Sequence, residues 1–402
     1  MDESLRQAVA VLAVAMMVAI AARQIRLPYT VGLVIVGAVV ALSGAGLAPH
    51  LTHDLIFDLI LPPLLFEAAL TLSWRELMRD SLPLLALVGL GTVVSAAVVA
   101  MSMAMLLGWP LSSSMVFGAL IAATDPVAII AMFKDNKIKG RMRLLVESES
   151  LLNDGAAAVL FVMALAIAQN GGVDQSAAGI AASLVKAVFG GVAVGALFGG
   201  GAILVSLRTS ELVIEAALTT IAAFGSFLVA EYFHVSGVLA TVTAGLIMGN
   251  LGLLSERGGY IRLKGREFVL SFWDFAAFLA NSVVFLLIGA DVASTPFGAV
   301  GAAPLAVAIA TVLGARAITV YPLSSLFLGS RWKISWGEQH VLWWGGLRGA
   351  LALALALSLP DDLPQRDEIV AVTFAVVAFS IVVQGLTMPL LLGALGFLPR
   401  RS

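Results

Sequence analysis

Apolar residues in this chain run continuously for about twenty positions at a time, neither alternating nor confined to one helical stripe. Short stretches rich in polar residues, Gly or Pro separate the runs. A helix that crosses a bilayer needs a run of that length, because no water reaches its backbone groups and each must be satisfied within the helix. Thirteen such segments are predicted, at roughly 5–22, 28–48, 54–72, 82–108, 111–133, 145–168, 178–206, 211–230, 235–253, 268–290, 298–328, 335–359 and 367–397. The first is longer than a secretory signal's apolar stretch and no clear small-residue cleavage pattern follows it, so it is read as a retained helix.

The distribution of basic residues supports that count. With the N-terminus outside, the loops on the cytoplasmic side hold Arg23 and Arg26, Arg75 and Arg79, Lys134, Lys137, Lys139, Arg141 and Arg143, Arg208, Arg257, Arg262, Lys264 and Arg266, Arg331 and Lys333, and Arg400 and Arg401. Those are 18 of the 23 Lys and Arg; the other side holds Arg6 and Arg366. Cytoplasmic loops of membrane proteins are enriched in this way, and a wrong segment count would scramble the alternation. Lys186, Arg316 and Arg348 remain within segments. Composition agrees: 60% of residues are hydrophobic and 12% charged, against roughly a quarter charged in soluble domains. The expected fold is an all-α polytopic protein of the cell (inner) membrane, N-terminus out and C-terminus cytoplasmic. There is no cysteine, so disulfides and thiolate-held metals are excluded.

An odd segment count has a consequence. Segments 1–6 and 8–13 form two six-helix units of opposite orientation, joined by segment 7. Inverted repeats with interrupted helices at matching places characterise secondary transporters. Segment 5 carries Thr124-Asp125-Pro126 and segment 12 carries Gly345-Gly346-Leu347-Arg348-Gly349. Proline removes a backbone donor and restricts the residue before it, and glycine loosens the helix. Both segments are therefore expected to be broken mid-membrane, where unwound backbone survives only if buried or lining a cavity.

The densest polar stretch is Glu147 to Gly155, E-S-E-S-L-L-N-D-G, at the head of an apolar run. Helical spacing puts Ser150 and Asp154 on one face and Glu149 and Asn153 on the next. Ionisable groups at this depth face the bundle interior or a water-filled cavity. Asp154 is the first candidate for a site, since a carboxylate there can hold a proton or a cation but not both. Asn153 stands beside it and is counted with the site. Thr124 offers a hydroxyl and a carbonyl to a small cation, while Asp125 is favoured as the counter-charge to the positive N-terminus of the half-helix that follows it. Glu149 and Arg316 are expected to pair, leaving Asp154 as the titrating group. Arg348 is expected to offset the negative end of a half-helix, Lys186 to snorkel, and Glu147 to be a solvated helix-end charge. Glu67 either lines the ion path or binds a polar neighbour. Asp58, Glu215 and Asp274 are read as interfacial, and Gln384 to Thr387 as a polar break for close helix packing.

No phosphate-binding G-x-x-x-x-G-K-[ST] loop is present, so a primary pump is not expected, and neither is ATP, a nucleic acid or any cofactor. A cation channel, a proton-coupled symporter and an intramembrane aspartyl protease using Asp125 and Asp154 stay open on the residues alone.

Taken together, T-D-P in one interrupted helix, E-S-L-L-N-D-G in the next, R-A-I-T-V-Y in segment 11 and G-G-L-R-G-A in the second break resemble the NhaP/NHE-type monovalent cation/proton antiporters, along essentially the whole chain and in order. The resemblance implies a homodimer of thirteen-helix protomers exchanging Na+, or K+ or another monovalent cation, for H+. It implies dimer-domain helices in 1–80 and 211–292, a moving core in 81–170 and 293–402, and a connecting helix in 171–210. It places cation ligands on Thr124, Asp125 (main chain), Ser150, Asp154 and Glu67, an ion pair on Glu149 and Arg316, and support of the breaks on Pro126, Gly345, Gly346 and Arg348. Electrogenic relatives carry two aspartates where this chain has Asn153-Asp154, so one-for-one, electroneutral exchange is expected. The chain ends at Ser402, and a long cytoplasmic regulatory tail is not expected.

Overall fold

The structure, a computed structural model, describes residues 2–25, 28–43, 51–136, 138, 140–169, 177–208, 211–253 and 263–398. Of the basic residues used for orientation, Arg26, Lys137, Lys139, Arg257, Arg262, Arg400 and Arg401 lie outside these, as does 44–48 of the second segment. Every regular element among the described residues is helical. The order begins α1 (Asp2–Ile25), α2 (Tyr29–Leu42), a π-helical stretch Leu55–Ile60 continuing as α3 (Leu61–Thr71), and α4 (Trp74–Arg79). It continues with α5 (Ser81–Leu85) and α6 (Thr92–Leu107), joined through the π-helical Ala86–Gly91, then α7 (Leu111–Leu120), α8 (Val127–Asp135), α9 (Arg141–Gln169), α10 (Ala177–Ser206) and α11 (Leu212–Tyr232). The rest comprises α12 (Gly237–Ile247), extended by Met248–Leu253, then α13 (Leu263–Ser294), α14 (Phe297–Val300), α15 (Ala302–Ser325), α16 (Trp336–Trp344) and α17 (Ala350–Leu357). The last helix, Arg366–Ala394, is α18 (Arg366–Phe379) and α19 (Gly385–Ala394) joined by a π-helical turn. Among the described residues, 7 helices are long and apolar enough to cross a membrane.

Local chemistry sets many of the boundaries. Gly108, at φ 69°, ends α6 in the left-handed conformation that a side chain disfavours, and Pro110 precedes α7. Ser335 and Glu338 form a reciprocal capping box at the start of α16, with bonds of 3.3 and 2.7 Å. Three details depart from the expected segments. The amphipathic α4 lies between the third and fourth. The eleventh starts at Ala302 because Gly301 (φ 88°) separates it from α14. Glu215, expected at an interface, is buried in the first turn of α11.

The tightest crossing is α2 on α13. A Cβ on Gly37 would overlap the Leu286 carbonyl, and one on Gly289 would overlap the Val34 carbonyl. Apolar side chains gain nothing by leaving lipid for one another, so close backbone approach at small residues is what lets such helices pack. Large apolar side chains cover the outside: Leu197, Leu390 and Met17 are exposed.

Candidate functional site

The helix α9 runs without interruption through Glu147, Ser150 and Asp154, which share one face. That face borders a partly open cavity of about 90 Å³, lined on other sides by Thr124, Asp125 and apolar residues of α3 such as Leu61 and Leu65. Two interrupted helices meet beside it: α7 ends at Leu120 and α8 starts at Val127, while α16 ends at Trp344 and α17 starts at Ala350.

The two breaks hold each other. The Asp125 amide donates to the Leu347 carbonyl at 2.7 Å. The Asp125 carboxylate accepts from the backbone N–H of Val127 at 3.0 Å and lies against Gly349 beside the N–H of Ala350, so one side chain serves the N-termini of two half-helices at once. A Cβ on Gly349 would overlap this carboxylate, and glycine there is what lets it reach α17. In return, Arg348 donates to the carbonyls of Ala122 (3.2 Å) and Ala123 (2.8 Å), which the interrupted first helix leaves unpaired. Arg348 is 1% exposed.

Glu149 faces away from the cavity. Arg316 of α15 donates to both of its oxygens at 2.7 Å, a bidentate pair in which both residues are buried. Arg316 also donates to the Leu342 carbonyl in the last turn of α16. A Cβ on Gly346 would sit 2.6 Å from Arg316 Nε. Asn153 is equally engaged: its amide donates to the Ala122 carbonyl (3.0 Å) and the Thr124 hydroxyl (3.3 Å), and its oxygen accepts from Thr92 at 2.6 Å. The Ser150 hydroxyl donates to the Thr124 carbonyl at 2.5 Å.

Asp154 is different. Among the described residues no hydrogen bond reaches its carboxylate; its neighbours in charge are Asp125, Glu149 and Arg348. It faces the cavity with the oxygens of Ser150 and Thr124 close by.

The pattern that defines the family described as "Sodium/hydrogen exchanger, transmembrane" matches residues 10–394. This chain belongs to that family. The exchanger is 39% identical over 378 residues to the Na(+)/H(+) antiporter ApNhaP of Aphanothece halophytica, spanning 94% of this chain and 71% of that one. It is 34% identical to the Na(+)/H(+) antiporter NhaH of Halobacillus aidingensis, covering 97% of each. Its fold resembles the solved structure of the sodium proton antiporter MjNhaP1 from Methanocaldococcus jannaschii, with a TM-score of 0.75, 19% identity, and 98% and 99% of the two chains covered.

Not every candidate residue joins the cavity of the exchanger. Glu67 of α3 lies at the end nearer the basic 134–143 loop and contacts Lys134 Nζ at 3.5 Å, the polar-neighbour arrangement. Asn153 borders the break through its amide, with its polar atoms directed at Thr92, Thr124 and Ala122. Glu147 is a correction. It is not a solvated end charge but lines the cavity, 13% exposed, accepting from Arg143 at 2.7 Å. The continuous α9 starts at Arg141, which puts Glu147 inside the helix instead of at its end. Gln384 donates to the Trp344 carbonyl at 2.9 Å, so its polar break serves the second interruption.

Sequence reasoning passed over four features of the exchanger. Thr92 is a lone hydroxyl in an apolar run, with nothing to distinguish it from a helix-packing threonine. Asp80, almost fully buried, accepts from Arg141 at 2.8 Å, and Arg141 also donates to the Trp332 carbonyl, tying three loops together. Lys134 was legible only as a loop charge. The fourth is a cavity of about 520 Å³ at the opposite end of the bundle, bordered by His53, Phe161, Glu231 and Ser358, with Lys186 on its wall. There His53 Nδ1 lies 3.0 Å from the Ala354 carbonyl of α17.

Proposed function

We propose that this protein exchanges Na+ for H+ across the cell membrane, one for one, by alternating access, with the Asp154 carboxylate taking the cation and the proton in turn. The observation that carries this reading is the contrast among the carboxylates around the two breaks: Asp125 serves two half-helices and Glu149 is held by Arg316, while Asp154 faces a cavity with no donor on it. Ser150 Oγ, the Thr124 hydroxyl and main-chain oxygens of the first break supply the further hard ligands a small alkali cation prefers, and Glu67 stands at the approach. The relatives named as Na(+)/H(+) antiporters support the same chemistry.

Coupling follows from charge. An empty, ionised Asp154 is costly to carry past an apolar seal, so the protein moves only with Na+ or H+ bound. Proton and cation compete for one carboxylate, protons prevailing at low pH and Na+ at high pH. Asn153 in place of a second aspartate leaves one exchanged charge each way. In this reading the chain crosses the membrane thirteen times, with the N-terminus outside. Residues 1–80 and 211–292 form the dimer domain of a homodimer, 81–170 and 293–402 the core that moves, and 171–210 the connecting helix. The cavity size argues against an organic solute, whose pockets run to roughly 300–1,000 Å³. Engagement of Asp125 by two helix N-termini argues against an aspartyl dyad.

The test is Asp154→Asn in proteoliposomes. The variant is expected to keep the wild-type melting temperature and to lose Na+-driven proton flux. Retained flux would sink the mechanism, and a strong response of wild-type exchange to an imposed membrane potential would reject the one-for-one stoichiometry.

A further inference from the structure

Lys134 stands in the last turn of α8, the half-helix that leaves the first break. Its ammonium lies 3.5 Å from Glu67 Oε1 on α3 and 3.3 Å from Asp274 Oδ1 on α13. One cation thus bridges carboxylates from two helices that pack against each other. Glu147, with its own partner Arg143, borders the cavity on the same side. The entrance therefore gathers three carboxylates against two cations.

The contacts made by Lys134 are unlike those of the buried pair. Charge-assisted bonds of full strength are about 2.7–2.9 Å long, as between Arg316 and Glu149. Those of Lys134 are longer, and the side chains of Lys134 and Asp274 are 47% and 61% exposed. A pair this loose and this wet adds little to stability. It does change the field at the entrance. With Lys134 in place, one of the two negative charges that Glu67 and Asp274 can carry is offset. Without it, two carboxylates would face the approach to Asp154 uncompensated, and a negatively lined cleft raises the local concentration of cations.

We propose that Lys134 is a built-in competitor of the transported cation: its ammonium occupies Glu67 and Asp274 at the cytoplasmic entrance and sets how much cytosolic Na+ half-saturates the exchanger. The inference rests on the antiport reading above, with Asp154 as the carrying site. Lys134 touches neither the cargo nor Asp154; it is a positioning residue acting through Glu67 and Asp274. The displaced ammonium is half-exposed already, so releasing it to water costs little, and the competition is reversible. Arginine at this position would keep the charge, while glutamine would keep most of the length and remove the charge.

The experiment uses the full chain in everted membrane vesicles, whose outer surface is the cytoplasmic face, with NaCl titrated outside and proton flux followed by a pH-gradient dye. Lys134→Gln is expected to lower the half-saturating Na+ concentration by on the order of fivefold, with the maximal rate within about twofold of wild type, since a lost charge acts on binding more than on the moving step. Lys134→Arg should behave as wild type. Asp274→Asn should move half-saturation the other way, because it removes a carboxylate and leaves the ammonium. Raised ionic strength from choline chloride should shrink the difference between Lys134→Gln and wild type. Unchanged or higher half-saturation in Lys134→Gln, with normal wild-type exchange, overturns the inference and leaves the antiport reading standing. A fall in maximal rate alone would assign Lys134 to helix docking and also overturn it. Silence of the wild type in the same vesicles overturns the antiport reading, and this inference with it.

Discussion

The two helix interruptions differ in what each lacks. Residues 121–126 present carbonyls and the Asp125 carboxylate but carry no cation; residues 345–349 carry Arg348 and three glycines but no carboxylate. Arg348 reaches from the second break to the Ala122 and Ala123 carbonyls of the first, and Asp125 reaches from the first to the N-terminus of α17 in the second. The carbonyl of Leu342, where α16 runs into the second break, is met by Arg316, which also neutralises Glu149. Each break would be unsatisfied alone, at a depth where no water completes it. The difference teaches that the pair is one unit, with the polar groups of one half completing the other. Asp154 is left without a donor while its neighbours Ser150, Asn153, Asp125 and Glu149 are each engaged elsewhere.

Four substitutions test that dependence, and the largest effect belongs to Arg316. Arg316→Ala strands Glu149 as a buried charge and exposes the end of α16, which should destabilise by about 3–5 kcal/mol. Thr124→Ala, which loses only the 3.3 Å bond from Asn153, should cost about 1 kcal/mol. Equal melting temperatures for these two variants in detergent would show that the pair does not hold the second break. Next in size is Arg348→Ala. It leaves the Ala123 carbonyl without a donor, at about 1–3 kcal/mol, while the Ala122 carbonyl keeps the Asn153 amide, and it should weaken the first break, not its own. Faster proteolysis around 345–349 than around 121–126 in this variant would contradict the reciprocal arrangement. The smallest effect is that of Thr92→Val, which removes the donor to Asn153 while keeping the shape. A loss of about 1 kcal/mol is expected, with exchange retained; abolished exchange with an unchanged melting temperature would mean that Asn153 belongs to the cation site and not to the scaffold.

Much of the frame was legible along the chain. The long apolar runs depend on residues adjacent in sequence, and so do the two breaks, announced by Thr-Asp-Pro and by a glycine cluster around Arg348. Glu149 and Arg316 could be matched as opposite charges that burial would force together, though they lie 167 positions apart. What escaped were residues whose role depends on which helix they meet. Thr92 is one of several hydroxyls in apolar runs until α6 brings it to Asn153. Glu147 reads as a loop-side charge until α9 extends back to Arg141 and turns it toward the cavity. Glu67 offers nothing in sequence that announces its neighbour Lys134, which docking of α8 brings to 3.5 Å.

The local chemistry of the chain therefore accounts for its membrane-embedded helical class, the placement of the interruptions and the cluster around Asp154, because hydrophobic length, backbone restriction and helical spacing act over a few residues. Docking of the helices accounts for the division of labour among the carboxylates. Whether a buried carboxylate caps a helix, pairs with arginine or faces an empty cavity depends on donors from distant segments, and burial makes each such match all-or-none. Four acidic residues thus end in four different states: Asp125 capping, Glu149 paired, Glu67 beside a lysine, and Asp154 available.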